Sequence, residues 1–216
     1  MNSEGLSISR NQWHSLVLKR WMDLIVSMVG LLILSPLFLL LAALIYLESR
    51  GPALFSQARV GRHGRQFQML KFRTMYMGSE LVLDLHLENN PLNRLSYDHY
   101  QKLVNDPRLT PLGRFLRRSS LDELPQLWNV LRGEMSLVGP RPFLPEQVEF
   151  YGSTYQRYIL FRPGMTGLWQ VSGRNRLSFE ERVRLDEVYL CSWSLRLDLW
   201  ILWRTVAAVL RQEGAY

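Results

Sequence analysis

Two adjacent carboxylates, Asp122 and Glu123, sit in the stretch Ser119-Ser-Leu-Asp-Glu-Leu-Pro-Gln126, just behind Arg114, Arg117 and Arg118. Arginine grips phosphate in a planar fork, and a carboxylate beside it can act on what is held. Pro125 lacks an N–H and is comfortable only in the first turn of a helix. Leu124, Leu127, Trp128 and Leu131 follow at helical spacing, and Gly133 is a natural stop. The pattern predicts a helix from near residue 122 to residue 133. Both carboxylates then lie at its N-terminus, where free N–H groups and the macrodipole favour negative charge. Taken alone, Asp122 reads as an N-cap, Glu123 as a first-turn acid, and the arginines as their charge partners. The neighbouring motifs make the case for chemistry.

Several of those motifs set a cation on rigid or glycine-rich backbone. Residues 53–57 and 67–72 read as two strands joined by the basic turn Arg59-Val-Gly-Arg-His-Gly-Arg65, a hairpin that ends on Lys71-Phe-Arg73. Thr110 and Pro111 are a good N-cap and first helical residue for a short helix that ends in Arg117 and Arg118. A buried strand over 135–138 runs into Gly139-Pro-Arg-Pro142, where two prolines hold Arg141 in place. Arg162-Pro-Gly is a turn leading to Leu168-Trp-Gln-Val-Ser-Gly-Arg174, in which Trp169 or Arg174 is placed to meet a base or a diphosphate. A tight loop around a buried tryptophan fits the same residues. Ser178 and Glu181 form a capping box for a helix over 178–190. Residues 193–210 mix tryptophan and arginine with an apolar stripe, which suits a helix in a membrane interface or one packed on the core. Residues 76–105 predict two short helices, over 79–88 with Ser79 as cap and over 97–104, and carry no recognisable chemistry.

The N-terminal third has a different character. Residues 1–18 are polar and uneven. Lys19 and Arg20 then precede an uncharged run over 24–47, which as a helix would be roughly 36 Å long, enough to cross a bilayer. Basic residues follow it as well, at Arg50, Arg59, Arg62, Arg65 and Lys71, so the positive-inside bias holds both ends in the cytoplasm. Ser35-Pro36 lies at the midpoint, where proline frees a carbonyl and a serine hydroxyl can satisfy it. These features fit a re-entrant helix-break-helix over 19–50; an ordinary kinked span fits them equally. Asp23 has two candidate partners, Arg20 one turn away and Arg50 at the far end of a folded-back hairpin.

Composition narrows the class. Hydrophobic residues make up 47% of 216, too few for a multi-span membrane protein. A net charge of +7 suits nucleic acid, anionic lipid or phosphate-rich substrates. Cys191 is the sole cysteine and the four histidines are scattered, which excludes an internal disulfide and cysteine zinc sites. The arginines alternate with acids, prolines and glycines and form no continuous basic face, so no nucleic acid is expected.

Lys19-Arg-x-x-Asp23, Ser35-Pro36, Gly51-Pro52, Lys71-Phe-Arg-Thr-Met75, Asp106-Pro-Arg108, Ser120-Leu-Asp-Glu-Leu-Pro-Gln126, Gly139-Pro-Arg-Pro142 and Pro163-Gly-Met-Thr-Gly167 occur in that order. Asp198 and the terminal Gly214-Ala-Tyr216 complete a pattern that runs from Lys19 onward. Together they resemble the bacterial sugar transferase family, the monotopic polyprenyl-phosphate phosphoglycosyl transferases, in a minimal form without the extra multi-helix domain of longer members. The resemblance implies an α+β, mostly helical fold. A re-entrant membrane hairpin (19–50) would carry a cytosolic catalytic domain (51–216) with short strands, interfacial amphipathic helices and a variable appendage at 76–105. It implies transfer of a sugar 1-phosphate from a UDP-sugar to polyprenyl phosphate with release of UMP, early in the making of exopolysaccharide, capsule, O-antigen or glycoprotein glycan. Asp122 would be the nucleophile and Glu123 its assistant. Mg²⁺ (or Mn²⁺), held by Asp122, would offset the phosphate charge. Lys71, Arg73, Arg117, Arg141, Arg162 and Arg174 would contact phosphate or donor. Lys19, Arg20, Asp23, Ser35 and Pro36 would shape the hairpin. The setting would be the cytoplasmic face of the bacterial inner membrane, among membrane lipids. A homodimer is compatible with it, and downstream glycosyltransferases would be partners. Two other readings stay open: direct in-line transfer with Asp122 and Glu123 as metal ligands only, and a non-catalytic membrane scaffold for polysaccharide assembly.

Overall fold

The computed structural model describes residues 10–90, 94, 97, 103, 106–173 and 177–210. The expected helix over 97–104 therefore lies outside the described residues except at 97 and 103, and Arg174 lies outside them too. Helix α1 (Arg10–Ser49) is one run of 40 residues with Pro36 inside it. Over His14–Ser49 it is long and apolar enough to cross a membrane, and only 11% of its most apolar window is buried. Leu32, Ile33, Leu39 and Leu47 stand among its exposed side chains. The expected break at Ser35-Pro36 is not a gap. Pro36 deprives the Leu32 carbonyl of its usual donor four residues on, and Ser35 Oγ donates to that same carbonyl at 2.8 Å. The helical backbone therefore continues past the proline.

Strands β1 (Leu54–Val60) and β2 (Gln66–Phe72) pair antiparallel, with Leu54 opposite Phe72 and Val60 opposite Gln66. The hairpin is as expected, with β1 starting one residue later and running three residues further than 53–57. Alternation puts Phe67 and Met69 in the core and leaves Gln66 and Gln68 outside. Helix α2 (Ser79–Asn89) starts one residue earlier than a Ser79 cap requires: the cap position is Gly78, in the left-handed region at φ 71°, with no side-chain bond. Helix α3 (Pro111–Ser119) is capped as read, with Gly113 N–H donating to Thr110 Oγ1 at 2.8 Å. Gly113 packs on the Thr74 backbone so closely that a Cβ there would collide with it.

A 3-10 turn (Leu121–Glu123) leads to helix α4 (Gln126–Arg132), which ends at Gly133 with φ 81°. The α-helix thus begins four residues later than expected. Pro125 has no N–H to give Leu121, so the backbone takes tighter i→i−3 bonds from Leu124 to Leu121 and from Leu127 to Leu124. Strand β3 (Ser136–Val138) pairs parallel with β4 (Gly164–Thr166). Between them lie two short helices, α5 (Val148–Tyr151) and α6 (Thr154–Tyr158). The stretch after β4, expected as a loop, makes the helical turn α7 (Leu168–Val171). Helix α8 (Phe179–Ser192) carries both bonds of the Ser178–Glu181 capping box. Helix α9 (Leu195–Leu210) has two faces, one packed on the core and one apolar and exposed. Asp198 and Ile201 are fully buried, whereas Leu199, Trp200, Trp203 and Val206 are exposed.

The main core joins Phe67 and Met69 of the hairpin, Leu127 and Val130 of α4, β3, and Tyr189 and Ile201 of α8 and α9. Leu41 and Ile45 of α1 form a second cluster with Phe72 and Leu116. Both ends of α1 are fastened to this body. Lys19 Nζ reaches Asp198 Oδ2 (2.6 Å) and the Val138 carbonyl (2.8 Å). Arg20 donates to the Val130 and Leu131 carbonyls at the end of α4. At the other end, Glu48 accepts from Leu112 N–H and Ser49 Oγ from Arg73. Asp23 takes neither expected partner. It accepts from Leu137 N–H (2.9 Å) and Ser136 Oγ (3.1 Å), because the start of β3 lies against it and Arg20 is drawn to α4.

Lys19 and Asp198 are both buried, so removing one strands the other. Lys19→Met should cost about 3–5 kcal/mol of unfolding free energy. Chemical unfolding in detergent micelles measures it, and a variant that unfolds with the wild type contradicts the pairing.

Candidate active site

Three elements converge on the dyad. The end of β2 brings Lys71, the last turn of α3 brings Arg117, and the 3-10 turn presents Asp122 and Glu123. Lys71 Nζ meets Glu123 Oε1 at 2.7 Å. Arg117 Nε donates to Thr74 Oγ1 at 3.0 Å, which holds the guanidinium beside the turn. Ser120 enters the turn with φ 57°, a left-handed conformation costly for a residue with a Cβ, and so reverses the chain between α3 and the dyad.

Asp122 is only 7% exposed. Burial, and next the charge of Glu123, push its carboxyl up to about 6, while Lys71 and Arg117 pull against them. Arg117 is itself lowered by burial and held up chiefly by Asp122. A buried carboxylate flanked by cations can bind to, or attack, a phosphate whose own charge would repel it in water.

Asn129 was missed by sequence reading. Its Nδ2 donates to the Gln68 carbonyl (2.8 Å) and to Glu134 (2.7 Å), and its Oδ1 accepts from Leu70 N–H (2.9 Å). This buried side chain fastens α4 to β2 and thereby sets Glu123 opposite Lys71. Its signal was an amide inside the apolar run Leu127-Trp-Asn-Val-Leu131. Arg59 was also missed as a site residue. It is half-buried near both Arg141 and Glu123, and burial and then Arg141 lower it to about 10.

The other cations named from sequence make different contacts, and Arg73 and Arg162 are drawn away from the dyad. Arg141 donates its backbone N–H to buried Asp186 (3.1 and 3.2 Å), and its guanidinium lies 5.1 Å from the Trp169 ring centre. Arg73 serves the end of α1, donating to Ser49 Oγ and Met77 Sδ. Arg162 donates to the Gly133 carbonyl at the far end of α4 from the dyad. A cleft beside Glu123 is lined by Ser120, Thr166, Gln170 and Thr205. Among the described residues no three acids, histidines or cysteines gather into a metal cage. Two adjacent carboxylates still suit Mg²⁺, which commonly takes one or two carboxylates and completes its shell with substrate phosphates and water.

A membrane-length helix fastened at both ends to one domain, with an acid pair set among cations, defines a protein equipped for phosphate chemistry beside a lipid surface. Residues 14–212 match the family model described as "Bacterial sugar transferase", and the chain belongs to that family. The undecaprenyl-phosphate galactose phosphotransferase of Salmonella typhimurium is 48% identical over 199 residues, covering 92% of this chain and 42% of the relative. The exopolysaccharide production protein ExoY of Rhizobium meliloti is 46% identical over 198 residues, 92% of this chain and 88% of that protein. The UDP-glucose:undecaprenyl-phosphate glucose-1-phosphate transferase of Caulobacter vibrioides is 41% identical over 206 residues, 92% and 72% respectively. The chain thus spans less than half the length of the Salmonella relative.

Raising the folded-state carboxyl of Asp122 from 3.8 to about 6 makes its ionisation a cost to the fold. Stability is unaffected below pH 3.8, falls as pH rises through 6, and stays lower above it. Asp122→Asn should therefore gain roughly 3 kcal/mol at pH 8 and little at pH 4. Melting curves at the two pH values check this; an equal effect at both contradicts it.

Proposed function

We propose that this protein is a phosphoglycosyl transferase that moves a sugar 1-phosphate from a UDP-sugar to polyprenyl phosphate and releases UMP. The observation that carries the reading is the burial of Asp122 between Lys71 and Arg117 beside Glu123. Family membership and relatives named for undecaprenyl-phosphate transfer support it.

In the first step an Asp122 carboxylate oxygen attacks the sugar-bearing phosphorus. The bond from that phosphorus to the bridging oxygen breaks, and UMP leaves with the electron pair. In the second, a phosphate oxygen of the polyprenyl acceptor attacks the same phosphorus, and Asp122 departs as a carboxylate. Lys71 and Arg117 stabilise the charge that gathers around the transferring group. Glu123, held by Lys71, orients the acceptor. Mg²⁺, when bound by Asp122 and Glu123 with substrate phosphates, supplies further charge neutralisation.

The acceptor's tail stays in lipid, so the site must sit at the bilayer surface. Both ends of α1 are tied to one body, and a helix crossing the bilayer would carry its ends to opposite faces. We therefore read α1 as re-entrant, entering and leaving by one face with its bend at Ser35-Pro36. We read that face as the cytoplasmic one, a reading that basic residues at both ends support. Polysaccharide initiation at the bacterial inner membrane is the corresponding cellular role.

The test is UMP release by protein in nanodiscs with Mg²⁺ and a panel of UDP-glucose, UDP-galactose and N-acetylated donors, with and without polyprenyl phosphate. We expect one donor to give a stoichiometric burst without acceptor and turnover with it, and Asp122→Asn to lose at least about a thousandfold. Robust turnover by Asp122→Asn rejects the covalent route.

A further inference from the structure

Four buried N–H groups near the dyad have no hydrogen-bond acceptor among the described residues: Arg59 Nε, Arg141 Nη1, Arg182 Nε and the Trp169 indole N–H. They belong to one neighbourhood. The guanidinium carbons of Arg141 and Arg182 lie 5.1 and 5.3 Å from the centre of the Trp169 ring. Arg59 donates to the carbonyl of Pro142, the residue after Arg141. Gln170, next to Trp169, lines the cleft that also contains Glu123.

Three guanidiniums in one buried place repel one another, and their charge is poorly matched. None of the three forms an ion pair with a carboxylate among the described residues. Asp186, which lies against the Arg141 backbone, is fully buried and already accepts from Arg141 N–H and Tyr151 O–H. Its carboxyl is pushed up to about 7 by burial, so its charge offsets the three guanidiniums only in part. Burial and then Arg141 lower both Arg59 and Arg182 to about 10. Buried donors without acceptors cost free energy. Here the unfilled positions are cationic guanidinium donors joined by an indole N–H, which is the complement of an oxyanion with several terminal oxygens.

We propose that Arg59, Arg141 and Arg182, gathered at Trp169, form a phosphate-ester site beside the dyad that takes the phosphate remaining outside the transferred group. This deepens the transferase reading and rests on it for the identity of the ligand. Arg182 and Trp169 are the residues it adds. The ligand's chemistry is a phosphate ester, supplied either by the nucleotide of the donor or by the polyprenyl acceptor. Arg182 comes from α8 and Trp169 from α7, both remote in sequence from the dyad, so the site couples the C-terminal half of the chain to Asp122.

The test is calorimetric binding of UMP, uridine, inorganic pyrophosphate and geranyl phosphate to the full chain in nanodiscs, without any sugar donor. Variants are Arg182→Gln, Arg182→Lys and Trp169→Phe, each checked by its melting curve. Trp169→Phe keeps an aromatic face beside the arginines while removing the indole N–H together with part of the ring, so it reports even where Arg182→Gln fails to fold. We expect pyrophosphate binding to weaken at least about tenfold in Arg182→Gln and less in Arg182→Lys, and uridine binding to be unchanged. A parallel loss for UMP assigns the site to the donor, and a loss for geranyl phosphate alone assigns it to the acceptor. Unchanged pyrophosphate, UMP and geranyl phosphate affinities in the variants, or no binding of any of them by the wild type, overturn the proposal. Turnover with unchanged phosphate affinities removes this site and keeps the transferase. Arg182-dependent pyrophosphate binding without turnover on any donor does the reverse.

Discussion

Setting a buried carboxylate, Asp122, directly beside a second, half-buried one, Glu123, is the constraint on which this structure turns. Asp122 and Glu123 repel each other, and burial adds to the cost of ionising Asp122. Only cations held at fixed positions make an ionised pair tolerable, and each comes from a separate element. Lys71 depends on the β1–β2 hairpin and on Asn129, which fastens α4 to it. Arg117 depends on α3, whose Thr110 cap and Gly113 contact seat it on the Thr74 backbone. The left-handed Ser120 then turns the chain so that the dyad follows at once. Strain, burial and repulsion are concentrated in one short turn, and the surrounding contacts hold it in place.

The same economy governs the attachment of α1. A helix with most of its surface apolar and exposed has little reason to stay on a polar domain through packing alone. Buried polar contacts near its two ends do that work: Lys19 with Asp198, Arg20 with the end of α4, Asp23 with β3, then Glu48 and Ser49 with α3 and Arg73. Arg20 and Arg162 both donate to carbonyls at the C-terminus of α4, the end opposite the dyad, where positive charge is favourable. The helix that follows the dyad is therefore flanked by cations at both ends, and one of those cations belongs to α1. Lipid anchoring and the chemistry are joined through α4.

Local signals in the sequence were read well. The Thr110 cap, the Ser178–Glu181 box, the Gly133 stop and the alternation of β2 each depend on neighbours within a few residues, and each appears where expected. Asp122, Glu123, Lys71 and Arg117 were also legible as a group, because their motifs are dense in charge and proline. What was not legible depends on distant partners. Asp23 finds its acceptor role more than a hundred residues away, and Arg73 and Arg162 are arginines whose donors are drawn to Ser49 and Gly133. Arginines look alike in sequence, so those that carry phosphate and those that cap a helix differ only in what the fold brings to them. The start of α4 was misplaced for a smaller reason: a proline admitted to a first turn also forces tighter bonding just before it.

The claim at the centre is that Asp122 itself bonds to phosphorus. The direct measurement is to quench the protein in nanodiscs with its UDP-sugar and no acceptor, digest it, and locate any phosphosugar by tandem mass spectrometry. The account predicts a sugar-phosphate mass on the peptide bearing Asp122, attached at that residue and discharged when polyprenyl phosphate is added before the quench. An adduct on another residue, or steady turnover with no adduct at any time, would contradict it.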